Sequence, residues 1–543
     1  MKDSEAMNFL RIPDEDQDKF IILAKEIATA FRNGEILHKR DLELKKREIT
    51  RWLKLSKYPS NSNILQFLDP IDREQLTPEH MDILRKKPSR TISGISVVAV
   101  MTAPAPCPGQ CWYCPRGENA PQSYTGKEPA AMRGIQNEYD PYKQVKDRIR
   151  QLKSIGHAAN KIHLVIQGGT FLALPVTDQE SFIKGCLDAI NGQNANNLKE
   201  AIKLADNAVG VNNVGITFET RPDYCKENHV RRMLDLGGTW VEIGVQTLDE
   251  DILRHVHRGH DINAVKHAFK VSRDAGLKIT AHMMPNLFST PEKDVSMFDT
   301  LYNDPDLKPD ALKIYPCLVL EGTQLNEELK AGNYQPYDEN TVINVLARIK
   351  SFTPPHVRIQ RIQRDIPQYL ILHGVKHGNL REIVHRYMEE HGWRCRCIRC
   401  REIGLKMRKE NIEPCPPELV VRHYEAGGSD EFFFSYENLD QDVIFGFLRL
   451  RLPTERSIIP NPLNAGVIRE LHVYGKELAV GKKPDTKYSW QHKGLGSGLI
   501  RTAEETCHEF GKNRLFVTSG LGTRKYYKKH GFKLHSPYMV KEL

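Results

Sequence analysis

The string Cys107-Pro-Gly-Gln-Cys111-Trp-Tyr-Cys114 places three thiols on one short loop, separated by three and then two residues. Three thiolates so spaced can ligate three irons of a 4Fe-4S cluster and leave the fourth iron open and reactive. The competing reading, a structural zinc, wants four protein ligands, and no fourth Cys or His stands close by in sequence. A second group, Cys395-Arg-Cys397-Ile-Arg-Cys400, suits a zinc that pins a linker, with His385, His391, Cys415 or water as its fourth ligand. Its alternative is reduced, unliganded thiols on a basic loop. Near the carboxyl terminus, Gln491-His492-Lys493-Gly494-Leu495-Gly496-Ser497-Gly498 precedes a helical run from Leu499 to Phe510. Glycines there let backbone amides approach a pyrophosphate, and the helix start adds unpaired N–H groups.

These loops need scaffolds. A β-branched run from Ser93 to Val100 leads into the first cysteine loop, and apolar strands recur at 161–166, 214–218, 240–245, 278–282, 311–315 and 358–362. Between them lie stretches of helical spacing such as 261–275, so the pattern predicts a full or partial (β/α) barrel with its chemistry at the carboxyl ends of the strands. Polar groups fall at those ends: Gln167-Gly168-Gly169-Thr170, Glu219 to Asp223, Gln246-Thr247, and Lys313 with Tyr315. Past residue 400 the strands at 431–436, 442–450 and 467–473 read as antiparallel, a further domain of about 130 residues. Residues 15–90 read as helical, with Ile21, Ile22, Ala24, Ile27 and Phe31 on one stripe.

Composition bounds the rest. With 40% hydrophobic and 27% charged residues the 543-residue chain is globular rather than disordered. No apolar run approaches the roughly 20 residues of a membrane span, and the polar start lacks a secretory signal, which predicts a cytoplasmic protein with no membrane partner. The formal charge, 78 − 69 = +9, only weakly suggests a polyanionic partner, but its distribution is uneven. Eight basic residues between Lys39 and Lys57 face three acidic ones, and Arg85, Lys86, Lys87 and Arg90 follow. The alternative for this charge is a solvated helix face.

The cluster loop, with an aromatic before its last cysteine, resembles that of radical S-adenosylmethionine enzymes. Members place a Gly-Gly-Glu-like stretch after the second strand, and Gly168-Gly169-Thr170 stands there with Thr170 in place of the acid. The resemblance implies that Cys107, Cys111 and Cys114 hold the cluster and that Gly168, Gly169, Thr170, Glu219 and Gln246 bind S-adenosylmethionine, whose cleavage yields a 5′-deoxyadenosyl radical. The Q-x-x-G-x-G string at Gln491 resembles motif A of the Gcn5-related N-acetyltransferases. It implies an acetyl-CoA site made by Leu471, His472 and Val473 together with Gln491, His492, Lys493, Gly494, Leu495, Gly496 and Ser497. The same resemblance makes Tyr526 or Tyr527 the acid for the departing thiolate and Glu470 a candidate base, with Lys313 a further catalytic candidate at the barrel mouth.

A barrel of the first kind followed by a domain of the second resembles the family of catalytic third subunits of the Elongator complex, in the single-chain archaeal or bacterial form. Strings such as Arg361-Ile-Gln-Arg364-Asp-Ile-Pro367 and Arg469-Glu-Leu-His-Val-Tyr-Gly475 carry the match. It implies an α/β enzyme with a basic helical module at 1–90, a radical barrel at 91–390, a cysteine-rich zinc linker at 391–415 and an acetyltransferase domain at 416–543. It further implies 5-carboxymethylation of the tRNA wobble uridine, by abstraction of a hydrogen from the acetyl methyl and addition of the resulting carbon radical to C5. The anticodon arm would lie on Lys39, Arg40, Lys45, Lys46, Arg47, Arg85, Lys86 and Lys87, in a monomer or homodimer without obligatory subunits. Two rivals stand beside this reading: a protein lysine acetyltransferase with a merely structural cluster, and a tRNA-binding scaffold with decayed sites.

Overall fold

The computed structural model describes residues 16–410, 412–475 and 494–543. They fall into two compact units, one of residues up to 92 together with 146–159, the other of 93–145 and 160–543. In the first, the helix Gln17–Arg32 buries Phe20, Leu23, Ala24, Ile27 and Phe31, spaced three or four apart along one stripe. That stripe packs on Leu42 and Ile49 of the helix Lys39–Trp52 and on Ile64, Leu65 and Leu84. Short helices at Asn61–Phe67 and Pro78–Leu84 start at Ser60 and Thr77, each of whose hydroxyls accepts a backbone N–H. The stretch 146–159 joins this unit through Lys86 N–H to Ile155 O and Arg85 Nε to Gly156 O.

The second unit contains two seven-stranded sheets. The first is parallel throughout: β1 (Ser96–Met101), β2 (Lys161–Gln167), β3 (Asn212–Thr220), β4 (Trp240–Gln246), β5 (Lys278–Met283), β6 (Ala311–Ile314) and β8 (Arg358–Arg361) follow one another in that order. The intervening β7 (Val319–Leu320) pairs with β9 (Ile371–His373) outside this sheet. Helices such as Val176–Asn191, Ile262–Asp274 and Glu339–Ser351 alternate with the strands and bury their apolar stripes. The other face of the sheet is concave and polar. Glu219 on β3 lies 3.2 Å from Lys313 on β6 although two strands stand between them, a contact possible only across the inside of a half barrel.

The second sheet runs β10 (Glu418–Ala426), β11 (Ser429–Asn438), β12 (Val443–Arg451), β13 (Ala465–Val473), β14 (Arg514–Val517), β16 (Tyr538–Glu542) and β15 (Lys533–His535), antiparallel except between β13 and β14. Those two pair only through Ala465–Ile468 and Arg514–Val517, so the last five residues of β13 run on without β14. The helix Leu495–Glu509 packs Leu499, Ile500, Ala503 and Cys507 on this sheet. Buried ion pairs join it to the half barrel: Arg469 with Asp310 at 2.7 Å, Arg451 with Asp274, and Arg524 with Asp206 at 2.8 Å. Among the described residues no helix is long and apolar enough to cross a membrane.

Candidate active site

The cysteine loop leaves β1 and folds over the carboxyl ends of the parallel strands. Arg258 Nη1 lies 3.4 Å from Cys111 Sγ and Arg221 Nη1 lies 3.9 Å from it, while Arg221 Nη2 donates to Arg258 O at 2.8 Å. Gly109 admits this arrangement, since a Cβ there would overlap the Arg221 guanidinium. A hydrogen bond from Cys114, then the charges of Arg258 and Arg221, draw the Cys111 thiol down to about 4 against the opposing effect of burial. Cys107 Sγ points instead to Thr170 Oγ1, 3.9 Å away. Among the described residues these three sulfurs do not form a set converging within 4.8 Å, as ligands of one ion would. Spread thiols beside guanidinium groups fit a polynuclear cluster, in which each binds a different iron.

Around this loop the strand ends present polar backbone and side chains. Gly168 and Gly169 both have positive φ, +120° and +66°. A Cβ on Gly168 would strike Thr102, whereas Gly169 faces open space. Gln246, a non-glycine residue at φ +73°, holds a strained turn at the end of β4, and its Oε1 is buried without a partner. An orphaned acceptor and an open glycine turn beside the thiols fit the polar end of an amino-acid-bearing co-substrate. Gly169 and Gln246, together with Tyr124, Glu242 and His282, line a cavity of about 110 Å³.

Beneath the mouth lies a closed ionic network. Lys313 pairs with Glu242 and, at 3.2 Å, with Glu219. Glu219 also accepts from Gln167 Nε2 at 2.9 Å and from the Tyr124 hydroxyl at 3.0 Å, and His282 Nε2 meets Glu242 at 3.2 Å. Although burial alone would disfavour both charges, the attraction between them holds the Glu242 carboxyl well below its ordinary range and the Lys313 ammonium well above it. Lys313 is thus a fixed cation and not a free base. Sequence reasoning missed Arg258, Glu242, His282 and Tyr124. Arg221 sits within the strand-end string already singled out, but nothing local marks Arg258, which arrives from the turn after the short helix Glu250–His255.

On the second sheet, the start of the helix Leu495–Glu509 follows Gly494 at φ +86°. Gly496 and Gly498 bring it close to two phenols: a Cβ on Gly496 would lie 2.6 Å from the Tyr526 hydroxyl, and one on Gly498 would strike that of Tyr436. Tyr436, Gly494, Leu495, Ser497, Gly498 and Arg501 line a cavity of about 300 Å³. Glycine-opened amides at a helix start beside the part of β13 that runs past β14, with Leu471, His472 and Val473, fit a pyrophosphate and an extended acyl-bearing arm. Gln491, His492 and Lys493 lie outside the described residues. Of the two tyrosines Tyr526 faces the glycine turn, whereas Tyr527 is 6% exposed within the core and cannot serve as the acid. Glu470 is likewise no free base. It lies between Lys278 and Arg449, whose charges hold it ionised against burial.

The second cysteine group converges. Cys395, Cys397 and Cys400 offer sulfurs within 4.8 Å of one another, and His385 Nε2 stands 3.7 Å from Cys400 Sγ. His391 is turned away, stacked on Tyr387 at 4.1 Å, and Cys415 is exposed. The donor set of three thiols and one imidazole fits zinc. In the helical unit Lys39, Arg40, Arg47, Lys86 and Lys87 are exposed, and Lys45 and Arg85 are partly so. Lys46 departs from expectation: it is 3% exposed and pairs with Glu43 at 2.8 Å over the Tyr58 ring, so packing removes it from any phosphate-binding face.

Family profiles match in the same order along the chain. The Radical SAM superfamily matches residues 106–301, the Radical_SAM C-terminal domain residues 309–390, and the Acetyltransferase (GNAT) family residues 399–532. The first two imply a 4Fe-4S cluster and S-adenosylmethionine, the third acetyl-CoA. The chain is 45% identical to the tRNA uridine(34) acetyltransferase of Methanocaldococcus jannaschii, over 98% of this chain and 99% of that protein. It is 42% identical to Elongator complex protein 3 of Bos taurus, over 96% of each. The solved structure of Methanocaldococcus infernus Elp3 with an N-terminus deletion superposes with a TM-score of 0.74 at 43% identity, covering 83% of this chain and all of that one. With half-barrel, acyltransferase sheet and whole-chain identity in agreement, this chain is an enzyme of the family of tRNA uridine(34) acetyltransferases and Elongator complex protein 3.

Proposed function

We propose that this enzyme installs a carboxymethyl group at C5 of the wobble uridine of tRNA, drawing on acetyl-CoA and S-adenosylmethionine. One observation carries the reading: a thiol-and-guanidinium mouth and a glycine-opened acyl-CoA edge are built into one chain. C5 of uracil has no useful nucleophilicity at neutral pH, so a carbon–carbon bond there calls for a radical. When bound, a 4Fe-4S cluster supplies the electron that cleaves S-adenosylmethionine.

The chain's own residues prepare both ends. Cys107, Cys111 and Cys114 would hold the cluster, with Arg258 and Arg221 stabilising the Cys111 thiolate. The open backbone at Gly169 and the unpartnered Gln246 Oε1 would receive the amino-acid part of S-adenosylmethionine. Lys313, clamped by Glu219 and Glu242, keeps a positive charge where a uracil carbonyl must be oriented. Tyr526 keeps its proton because burial raises its pKa, and it can pass that proton to a departing thiolate. The exposed Lys39, Arg40, Arg47, Lys86 and Lys87 would carry anticodon-arm phosphates, and Cys395, Cys397, Cys400 and His385 would hold a structural zinc.

Anaerobic reconstitution with tRNA and both co-substrates tests the reading. The expected result is 5′-deoxyadenosine together with a carboxymethylated wobble uridine; lysine acetylation without either would sustain the protein acetyltransferase reading instead.

A further inference from the structure

The acyl-CoA edge and the cluster mouth stand at opposite ends of the half barrel. Glu470 of β13 pairs with Lys278, the first residue of β5, whereas Gly169, Gln246 and the cysteine loop lie beyond the carboxyl ends of the strands. From Lys278 to Met283 a strand rises about 3.3 Å per residue, so roughly 17 Å separates the two ends. Lumens of closed barrels are ordinarily filled by layers of branched apolar side chains.

This one is polar over that whole span along the wall made by β4, β5 and β8. The Lys278 ammonium lies 3.5 Å from the centre of the Trp240 ring, and Trp240 Nε1 donates to Thr280 Oγ1 at 2.7 Å. Gln360 Nε2, reaching across from β8, donates to the same hydroxyl at 3.2 Å. Thr280 stands beside Glu242 in register, and Glu242 leads to His282 and Lys313 at the mouth. The lumen is also unsealed. Val97, in register with His163 on the inner face, is 48% exposed, and the inward Val165, Gln167 and Gln360 are only half-buried. β1 and β8 are the edge strands of this sheet.

We propose that this lumen is the passage by which the two-carbon acyl unit crosses from the acetyltransferase sheet to the cluster mouth, with the Lys278–Glu470 pair at its entrance. The inference rests on the reading that both co-substrates serve one reaction. It gives Glu470 a place at the seam, and it gives the neutral rungs Trp240, Thr280 and Gln360 a task that neither site requires of them. The acyl unit travels either as a thioester on its arm or as free acetate; both present a carbonyl to those donors.

Labelling the full-length chain without turnover tests the passage. In a Val165→Cys variant treated with iodoacetamide, peptide mass spectrometry reads the introduced thiol against exposed Cys415 and buried Cys186 and Cys225. The introduced thiol is expected to react within about tenfold of Cys415 and to be protected about fivefold by acetyl-CoA if the arm enters, or by acetate if the free acid does. Reactivity as low as that of Cys186, or equal labelling with and without both ligands, overturns the passage. Thr280→Phe, or Ala99→Trp on the edge strand β1 should the first not fold, is expected to lower carboxymethyl product about tenfold or more per 5′-deoxyadenosine, with Thr280→Ser near wild type. Undiminished product from a plugged, folded variant overturns the inference. A wild-type enzyme that makes no carboxymethyluridine would defeat the functional reading and leave the labelling result standing.

Discussion

Arg221 crosses Gly109 so closely that a single added Cβ would overlap its guanidinium, and that guanidinium also lies 3.9 Å from Cys111 Sγ. Gly109→Ala must therefore push Arg221 away from the cluster loop, an overpacking that costs about 1–3 kcal/mol. We expect a folded protein whose reconstituted iron content and 5′-deoxyadenosine yield both fall about tenfold. Iron and sulfide analysis checks the first, and unchanged values would show that Arg221 has no part in holding the cluster.

Tyr526 and Tyr527 are neighbours with opposite surroundings, one at the glycine turn and the other in the core. Tyr526→Phe should lower acetyl-CoA turnover by about ten- to a hundredfold while leaving the urea midpoint unchanged. Tyr527→Phe should leave turnover near wild type. Equal kinetic losses in both would mean that the phenol facing the turn is not the acid.

Zinc content distinguishes the candidate fourth ligands. His385 stands 3.7 Å from Cys400 Sγ while Cys415 lies exposed. Losing a ligand from a four-coordinate site should weaken zinc binding by at least about tenfold in His385→Ala. Cys415→Ala should retain the wild-type zinc content, measured by atomic emission after dialysis against a chelator.

Salt dependence separates exposed cations from the buried one. Lys39→Ala and Arg40→Ala should each reduce the slope of log affinity for tRNA against log salt by up to about 0.9, whichever tRNA is used. Lys46→Ala should leave that slope unchanged and lower the thermal midpoint, because Lys46 pairs with Glu43 instead of facing solvent. A slope that falls with Lys46→Ala would place this lysine on the phosphates after all.

Stability should fall as the solution is acidified below pH 6.5. Burial, aided by the nearby Lys278 charge, holds the His163 pKa down to about 4. Between that value and the ordinary 6.5 the unfolded chain binds a proton that the folded chain refuses, so stability rises with pH across this window. From pH 7 to pH 5 the loss from His163 is about 2 kcal/mol. The lowered carboxyls of Glu242 and Asp310 act in a separate window, below about pH 4.5, as they lose the charges their partners stabilise. The difference between the urea midpoints at the two pH values should shrink in His163→Gln by the His163 share, His157 and His356 being lowered by burial in the same window, and an unchanged difference would assign the effect elsewhere.

Much of this enzyme was written locally. The spacing of Cys107, Cys111 and Cys114, the glycines at 168–169 and 494–498, and the alternation of strands with helices each encode a turn, a ligand set or a period within a few dozen residues, so fold class and chemistry were legible before any contact was known. Three-dimensional packing decided the rest, because it joins residues that no short-range pattern relates. It brought Arg258 to Cys111 across 147 positions, set His385 rather than His391 or Cys415 beside Cys400, buried Lys46 and Tyr527, and clamped Glu470 between Lys278 and Arg449, which cancels their expected roles. Charge and residue type are properties of the chain; exposure, pairing and protonation belong to the neighbours that folding supplies.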